Sequence, residues 1–456
     1  MTIDQLKRID LLLDSYTIMY NDIDVTYLLR NHVVANVRNK NGKGHSEISL
    51  DKRAIWRLLT SLLITLPVFF LRRSIWVFSN AERRKKIDNT YVDRVASMVS
   101  RFCNSVLFIE TSVLTQHKFP TSDKVLSESW LYLLSWVFGR ILFKPQKITV
   151  QGDLVELEKT LGIKINIVPR VKRFVAQYEA MKWLLKYRRG PKIVFVVYPN
   201  GYSGYIRAFK EKKIPVVELQ HGIIYPLHYS YNCFLNRDIS SFYPDYILTY
   251  GLRDKQTLEE LSYLPPNNII PVGSYTLWLY REQNLSTSQY LMDLFAKHQG
   301  KKNIAITATV HDLEVLYKLA TEIGQLNSEY HFYLMPRNEG QELKSNQYVD
   351  VLNPVLCNVY EVMNLCDGHI TMASTCGVEA LYFNKPSIVY EDVRGESMFR
   401  KNYPFLKTLQ YASDIKELIA LLNKPINQLH IDEDIRQLFL SDTAVRFTTF
   451  MESLHE

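Results

Sequence analysis

The sequence predicts an α/β protein built from two doubly wound domains, each a parallel sheet covered on both faces by helices, with extra helices at the N-terminus. Three observations carry this. Apolar strand runs alternate with helical periodicities from Ser74 to Val272, the chain turns polar from Ser286 to Lys302, and a second alternating series starts at Asn303. The expected parts are a helical extension over 1–73, a first domain over 74–300, a second over 301–425, and a C-terminal helix over 426–456 that crosses back to the first. Two such domains are expected to face a cleft, because ligands of doubly wound sheets gather at the strands' carboxyl ends.

With 456 residues, 47% hydrophobic and 22% charged, the chain is long enough for two or three real cores and is not compositionally disordered. Charge is uneven: residues 301–456 carry 14 Lys+Arg against 21 Asp+Glu, a net of −7, which leaves +15 on residues 1–300 and +8 in total. A basic N-terminal part suits an anionic membrane surface or acceptor. No zinc-finger spacing, RNP-type run or long basic helix accompanies it, so nucleic acid is not an expected partner. The five cysteines form no C-x-x-C pair and read as reduced thiols. The N-terminus lacks a signal-peptide core, and the expected location is the cytoplasm or the inner face of its membrane. Two apolar runs, Leu58 to Leu71 and Trp130 to Phe143, are too short to span a bilayer. Burial in the core is the expectation for both, with interfacial membrane contact as the other reading.

In chain order, residues 1–50 read as helical and then loose, ending in the polar loop Arg38 to Glu47. Ser74 to Asn80 is a strand, followed by a charged segment, Ala81 to Asp88, that should be exposed. Val106 to Glu110 is a second strand, and Val171 to Arg189 is a helix stopped by Gly190-Pro191. Lys192 to Tyr198 (strand), the turn Pro199 to Gly204, Tyr205 to Lys213 (helix) and Pro215 to Leu219 (strand) form one βαβ unit. Asn200 and Tyr202 in that turn and Gln220-His221-Gly222 after the second strand lie side by side at strand carboxyl ends. Strands at Tyr246 to Thr249 and Ile269 to Val272 follow.

The second series gives strands at Asn303 to Ala308, His331 to Met335 and Val349 to Leu352, and helices at Asp312 to Asn327, Val359 to Leu365, Lys416 to Leu422 and Asp434 to Glu452. Its centre is Asp367 to Asp392: strand, the small polar loop Ala373 to Gly377, a helix over Val378 to Phe383, a stop at Asn384-Lys385-Pro386, and a second strand. Small residues at that turn let a ligand approach the backbone, and first-turn N–H groups suit a phosphate. Glu379 lies in the first turn, within reach of a sugar hydroxyl beside it. An ordinary βαβ connection, with Ser374 and Thr375 capping and Glu379 favouring the dipole, explains the same residues equally well.

Gly377-Val378-Glu379-Ala380-Leu381 followed by Pro386-Ser387-Ile388-Val389 resembles the donor-binding motif of GT-B glycosyltransferases, and Gln220-His221-Gly222 looks like a turn of bacterial enzymes of capsule, O-antigen and teichoic-type polymer assembly. The likeness covers about 301–425 and, more loosely, 74–300. It implies that Glu379 accepts from the nucleotide's ribose hydroxyls, that Ser374, Thr375 and Gly377 hold phosphate, that Tyr360 borders the base, and that Arg337 supplies positive charge to the leaving phosphate. His311 is a further candidate lining the donor side. His221 is the candidate general base, histidine being the residue type that titrates near neutrality, with Glu218, Gly222, Tyr225, Asn200 and Tyr202 on the acceptor side. Two departures stand out: Thr371 occupies the place of a second Glu, and Asn384 replaces the Gly frequent before the Pro. A metal-independent transfer with no cofactor is expected, from a nucleotide-sugar to an oligosaccharide or lipid-linked hydroxyl of a surface polysaccharide. Alternatives on the same fold are transfer from a CDP-alcohol, a GT-B-like epimerase, or a non-catalytic partner in polymer assembly.

Overall fold

The computed structural model describes residues 2–39, 52–87, 90–111, 117–187, 190–222, 224–226, 228, 230–281, 283, 285, 287–337, 343–391, 399–400, 403–424 and 433–454. The polar loop expected at Arg38 to Glu47 lies, from residue 40 onward, outside the described residues. The chain forms two compact units, one from residues 1–84, 95–249 and 254–270, the other from 85–94, 250–253 and 271–456. The sequence expectation put the divide near 300; two short segments of the N-terminal half, 85–94 and 250–253, fold with the second unit.

The first unit opens with α1 (Ile3–Leu13), held at its start by a reciprocal Thr2–Gln5 capping box. β1 (Thr17–Tyr20), β2 (Ile23–Asp24) and α2 (Thr26–Asn39) follow, then α3 (Lys52–Phe69). This N-terminal layer is sealed by apolar side chains of α1, β1 and α2 packed on Leu157, Val171 and Phe174. Inside it the Arg30 guanidinium donates to Asp10 at 2.9 Å, both side chains fully buried, and Asp10 also accepts the Phe234 N–H at 2.9 Å. The ion pair ties the extension to the 232–234 loop.

Among the described residues the main sheet of this unit has seven strands: β3 (Ile75–Asn80), β6 (Val106–Thr111), β7 (Val125–Ser127), β9 (Ile193–Val196), β10 (Val216–Leu219), β11 (Tyr246–Thr249) and β12 (Ile269–Pro271). Their order is β12-β11-β10-β9-β3-β6-β7, so the winding reverses between β3 and β9. A hairpin of β4 (Arg84–Ile87) and β5 (Thr90–Asp93) stands apart from it, and β8 (Ile148–Gln151) pairs antiparallel with β1. Helices α4 (Ser97–Phe102), α5 (Ser129–Ile141), α6 (Leu154–Leu161), α7 (Val168–Tyr187), α8 (Ser203–Glu211) and α9 (Leu252–Leu261) complete the N-terminal half. α8 presses so close to α7 that a Cβ at Gly204 would meet the Phe174 carbonyl at 2.4 Å, which is why Gly stands in that turn.

Two expectations are corrected here. The charged segment after β3 is not wholly exposed: Arg84 is fully buried, paired with Glu110 and, at 2.8 Å, with Asp123, while His117 reaches Glu110 at 2.7 Å. A buried guanidinium needs carboxylates from neighbouring strands, and a local charge run does not show them. The apolar runs over 58–71 and 130–143 form α3 and α5 but are only half in the core, with Leu63, Phe70, Trp136 and Ile141 each more than half exposed.

The second unit has the strand order β15-β14-β13-β16-β17-β18, every pairing parallel. The strands are β13 (Lys302–Thr307), β14 (Tyr330–Met335), β15 (Val349–Val351), β16 (Gly368–Thr371), β17 (Ser387–Tyr390) and β18 (Leu409–Ala412), so the winding reverses between β13 and β16. Its helices are α10 (Tyr275–Arg281), α11 (Gln289–Ala296), α12 (Leu313–Leu326), α13 (Val359–Leu365), α14 (Cys376–Tyr382), α15 (Ile415–Leu422), α16 (Glu433–Leu438) and α17 (Thr443–Ser453). The single helix expected over Asp434 to Glu452 is broken in two, because the Leu440 N–H turns to the Tyr250 carbonyl at 2.9 Å and Asp442 takes a left-handed backbone, φ 61°. Both pieces belong to the second unit. Asn384 does the job of the Gly it replaces: at φ 58° it ends α14, and the next N–H closes back on the Ala380 carbonyl at 3.1 Å.

Removing one partner of the Arg30–Asp10 pair strands a buried charge. Asp10→Ala is expected to lower unfolding free energy by about 3–5 kcal/mol. Chemical denaturation checks this, and the double substitution Asp10→Leu with Arg30→Met should recover much of the loss.

Candidate functional site

Where the winding of the second unit reverses, β13 and β16 run side by side with Thr307 opposite Thr371. The Thr371 hydroxyl donates to the Thr307 carbonyl at 2.8 Å and accepts the Ser374 N–H at 3.2 Å. One side chain therefore fixes both the register of the two strands and the start of the loop. The Ser374 Oγ accepts the Cys376 N–H at 3.3 Å, the Ser374 carbonyl accepts the Gly377 N–H at 3.0 Å, and the Thr375 carbonyl accepts from Val378 and Glu379. The first-turn amides expected to receive a phosphate are thus already engaged, and α14 has only seven residues with which to build a dipole. Gly377 is buried, where a Cβ would press on Thr371 at 3.1 Å. What the loop does present is the side chain of Thr375, which is exposed and makes no capping bond.

Glu379 is the electrostatic centre of this end. Burial raises its carboxyl above the ordinary range, and the Arg94 guanidinium, with hydrogen bonds from the Cys376 thiol and the Tyr360 hydroxyl, offsets only part of that. Its Oε2 is buried and accepts no hydrogen bond among the described residues. Burial lowers Arg94, but its surroundings, Tyr360 and Glu379 first among them, outweigh it, so the guanidinium stays cationic. The segment 85–94 is held in this unit in part by the Arg94 carbonyl, which accepts the Thr276 hydroxyl. Sequence reasoning missed Arg94 because it sits in a charge-rich stretch of the N-terminal half. Tyr360 is buried and stacked on Tyr280, centroids 5.5 Å apart, so it braces Glu379 and offers no open face to a base. His311 is exposed in the turn after β13. Arg337 is exposed at the carboxyl end of β14, one strand from the reversal, and among the described residues it makes no ion pair or hydrogen bond with the Glu379 cluster.

In the first unit, the loops after β9 and β10 do come together. His221, half-buried, meets the Tyr198 ring edge-on at 5.3 Å, and the Asn200 amide donates to the Tyr198 hydroxyl at 3.1 Å and to Ser230 at 2.6 Å. The Gln220 amide shapes the turn by donating to the Gly222 carbonyl at 2.8 Å and to Asp254 at 3.0 Å. Tyr225 packs against His228. Two acceptor-side expectations are corrected. Glu218 points into the protein, 4% exposed, and takes the Tyr231 hydroxyl at 2.9 Å. The Tyr202 hydroxyl is committed to Glu128 at 3.0 Å. Glu128 itself, just past β7, is a carboxyl that the sequence did not single out. It is fully buried and raised above its ordinary range by burial, and its second oxygen has no hydrogen-bond partner among the described residues. A perturbed carboxyl at strand carboxyl ends is a functional signal.

One cluster lies at the opposite, amino end of the second sheet. His298 and His331 stack with centroids 3.4 Å apart and planes 13° apart, and both Nε2 atoms face Asp350 Oδ2, at 3.2 and 2.9 Å. Nearly parallel rings direct their lone pairs side by side, a geometry that suits N–H donation to one carboxylate better than convergence on an ion.

The chain is similar in structure to the S. aureus MnaA–UDP co-structure, with 13% identity, 84% of this chain and 97% of that chain covered, and a TM-score of 0.51. It is also similar to UDP-GlcNAc 2-epimerase from Neisseria meningitidis bound to UDP-GlcNAc, with 13% identity, 83% and 99% covered, and a TM-score of 0.51. A further UDP-N-acetylglucosamine 2-epimerase matches at 13% identity over 84% of this chain and 96% of that one, TM-score 0.50. No protein-family model matches the sequence, and no curated protein matches it. At such identity the likeness speaks for the fold, and the fold is of the GT-B type: two Rossmann-like α/β units with parallel sheets.

The buried Glu218 carboxyl gives a pH test. Burial pushes it up to about 8 against an ordinary 4.5, with the Tyr231 hydrogen bond pulling the other way. Between those values the folded state holds the extra proton, so this contribution to stability is full at low pH and is lost as pH rises through about 8. Its slope is up to about 1.4 kcal/mol per pH unit. Urea unfolding at pH 5 and pH 8 should show a shallower fall in Glu218→Gln than in the parent.

Proposed function

We propose that the chain is a nucleotide-sugar enzyme whose second unit holds the nucleotide at the β13–β16 reversal. The carrying observation is the Glu379 Oε2, a buried carboxylate oxygen with no hydrogen-bond donor among the described residues, beside a cationic Arg94. A ribose hydroxyl is a donor that would complete it, and leaving such an oxygen bare costs about 1–3 kcal/mol. Phosphate would then be met by the Thr375 hydroxyl and, after the loop 372–375 rearranges, by amides now closed on Ser374 and Thr375. Arg337 is the proposed mobile cation for the leaving phosphate, exposed and at a strand end. His221, half-buried at the end of β10, is the proposed base that deprotonates an acceptor hydroxyl of a polysaccharide or lipid-linked glycan. The reaction is then glycosyl transfer, driven mostly by positioning and charge stabilisation.

Epimerisation of the nucleotide-sugar is the second reading. It is supported by the names of the structures the chain resembles and by Glu128, a second perturbed acid–base group in the same unit as His221. Isomerisation moves protons on one substrate and needs an acid and a base but no acceptor, whereas transfer needs one base.

A thermal-shift panel of CMP, CDP, UDP, GDP and dTDP should show one nucleoside diphosphate raising the melting temperature. Glu379→Gln should weaken that nucleotide by about tenfold or more. If no nucleotide shifts the parent, a non-catalytic role in polymer assembly is favoured. His221→Ala should cut turnover by about 10²–10⁴ with nucleotide affinity unchanged. Product mass separates the two reactions: free nucleotide with a heavier acceptor for transfer, an unchanged mass with altered sugar NMR couplings for epimerisation.

A further inference from the structure

Helix α3 is amphipathic in the reverse sense to a helix that faces water. Its inward side is polar: the Thr65 hydroxyl accepts the Ser127 N–H at 3.1 Å, and Ser61 shares a hydrogen bond with Ser129 at 3.1 Å, both side chains buried. Its outward side is apolar, with Trp56 67% exposed, Leu63 72%, and Phe70 just beyond its end 73%. A surface helix of a water-soluble protein has these two faces exchanged. The neighbouring α5, joined to α3 by Phe69 packed on Trp130 at 4.9 Å, adds Trp136 at 56% and Ile141 at 66% exposed. Scattered exposed apolar residues need no explanation, but two adjacent helices that both turn large ones outward do.

Charge identifies the occupant. From Lys52 to Arg73 and from Ser129 to Gln151 there is no Asp or Glu, while the two stretches carry eight Lys and Arg. Exposed Arg72, Arg140, Lys144 and Lys147 flank the apolar residues, and the Arg140 guanidinium lies 4.2 Å over the Trp136 ring. Tryptophan beside arginine at the edge of an apolar face is the arrangement of a membrane–water boundary. A protein partner would more often be met by charges of both signs. No helix of the described residues is long and apolar enough to cross a bilayer, and α3, at about 27 Å, contains Pro67, so the fit is to lying in the headgroup region.

We infer that the α3–α5 face docks the first unit on an anionic phospholipid surface, with the large apolar side chains entering the acyl boundary and the basic rim neutralising headgroups. This site is separate from the nucleotide reading and stands whether or not that reading holds.

The test is co-sedimentation of the full chain with phosphatidylcholine vesicles, with and without about one-third phosphatidylglycerol. Binding to the anionic vesicles, little to the neutral ones, and weakening with added salt are expected. Leu63→Ser with Trp136→Ser should lower the partition coefficient by about tenfold or more, with thermal melting unchanged, since both side chains are exposed. Lys144→Gln with Lys147→Gln should weaken the preference for the anionic lipid while leaving the apolar face in place. The inference is overturned if the parent stays in solution with both vesicles, if the apolar double variant binds as well as the parent, or if light scattering shows a dimer that the same variant dissociates, which would assign the face to a second copy of the chain.

Discussion

In the second unit the Glu379 carboxyl is buried in the field of the Arg94 guanidinium, which offsets part of the cost of its burial. That arrangement reaches across the sequence. Arg94 belongs to the segment 85–94, which leaves the first unit's chain path to fold with the second, and Tyr360 and Cys376 close on the same carboxyl. Thr371 sets the strand register and the loop, and the loop sets where Glu379 stands. Thr371 is fully buried, so the end of β16 is preorganised even though its amides are engaged internally.

The two units follow one plan with different polar furnishing. Both reverse their winding at the first strand, β3 in one and β13 in the other, which leaves a crevice at the carboxyl ends of neighbouring strands. In the second unit that end holds Glu379 in the field of Arg94. In the first it is lined by His221, Asn200 and Tyr198, with Glu128 beneath Tyr202. Under the proposed function, the second unit would hold the nucleotide and the first would move protons.

Much of this was legible in the sequence for a physical reason. Central parallel strands are buried on both faces, so they read as continuous apolar runs such as Ile193–Val196. The turns after them were located for the same reason. Short edge pieces such as β1, β2, β8 and β18 carry no such signal and were missed. Partners were harder than elements. Arg84, Arg94 and Glu128 look like surface charges until strands distant in sequence surround them. Their place in the chain suggests that Tyr202 and Glu218 face a ligand, whereas their side chains turn inward to Glu128 and Tyr231. The run from Leu58 to Leu71 shows the limit most clearly: composition reports that it is apolar, but only the structure shows that Ser61 and Thr65 are the buried side.

The coupling of Arg94 to Glu379 at a nucleotide site is most directly tested by a double-mutant cycle read by titration calorimetry with the nucleotide that stabilises the parent most. The account predicts that Glu379→Gln and Arg94→Met each weaken binding, and that the double variant binds about as weakly as the worse single one, because the two residues act as one unit. Additive losses, or affinity unchanged in Glu379→Gln, would contradict it.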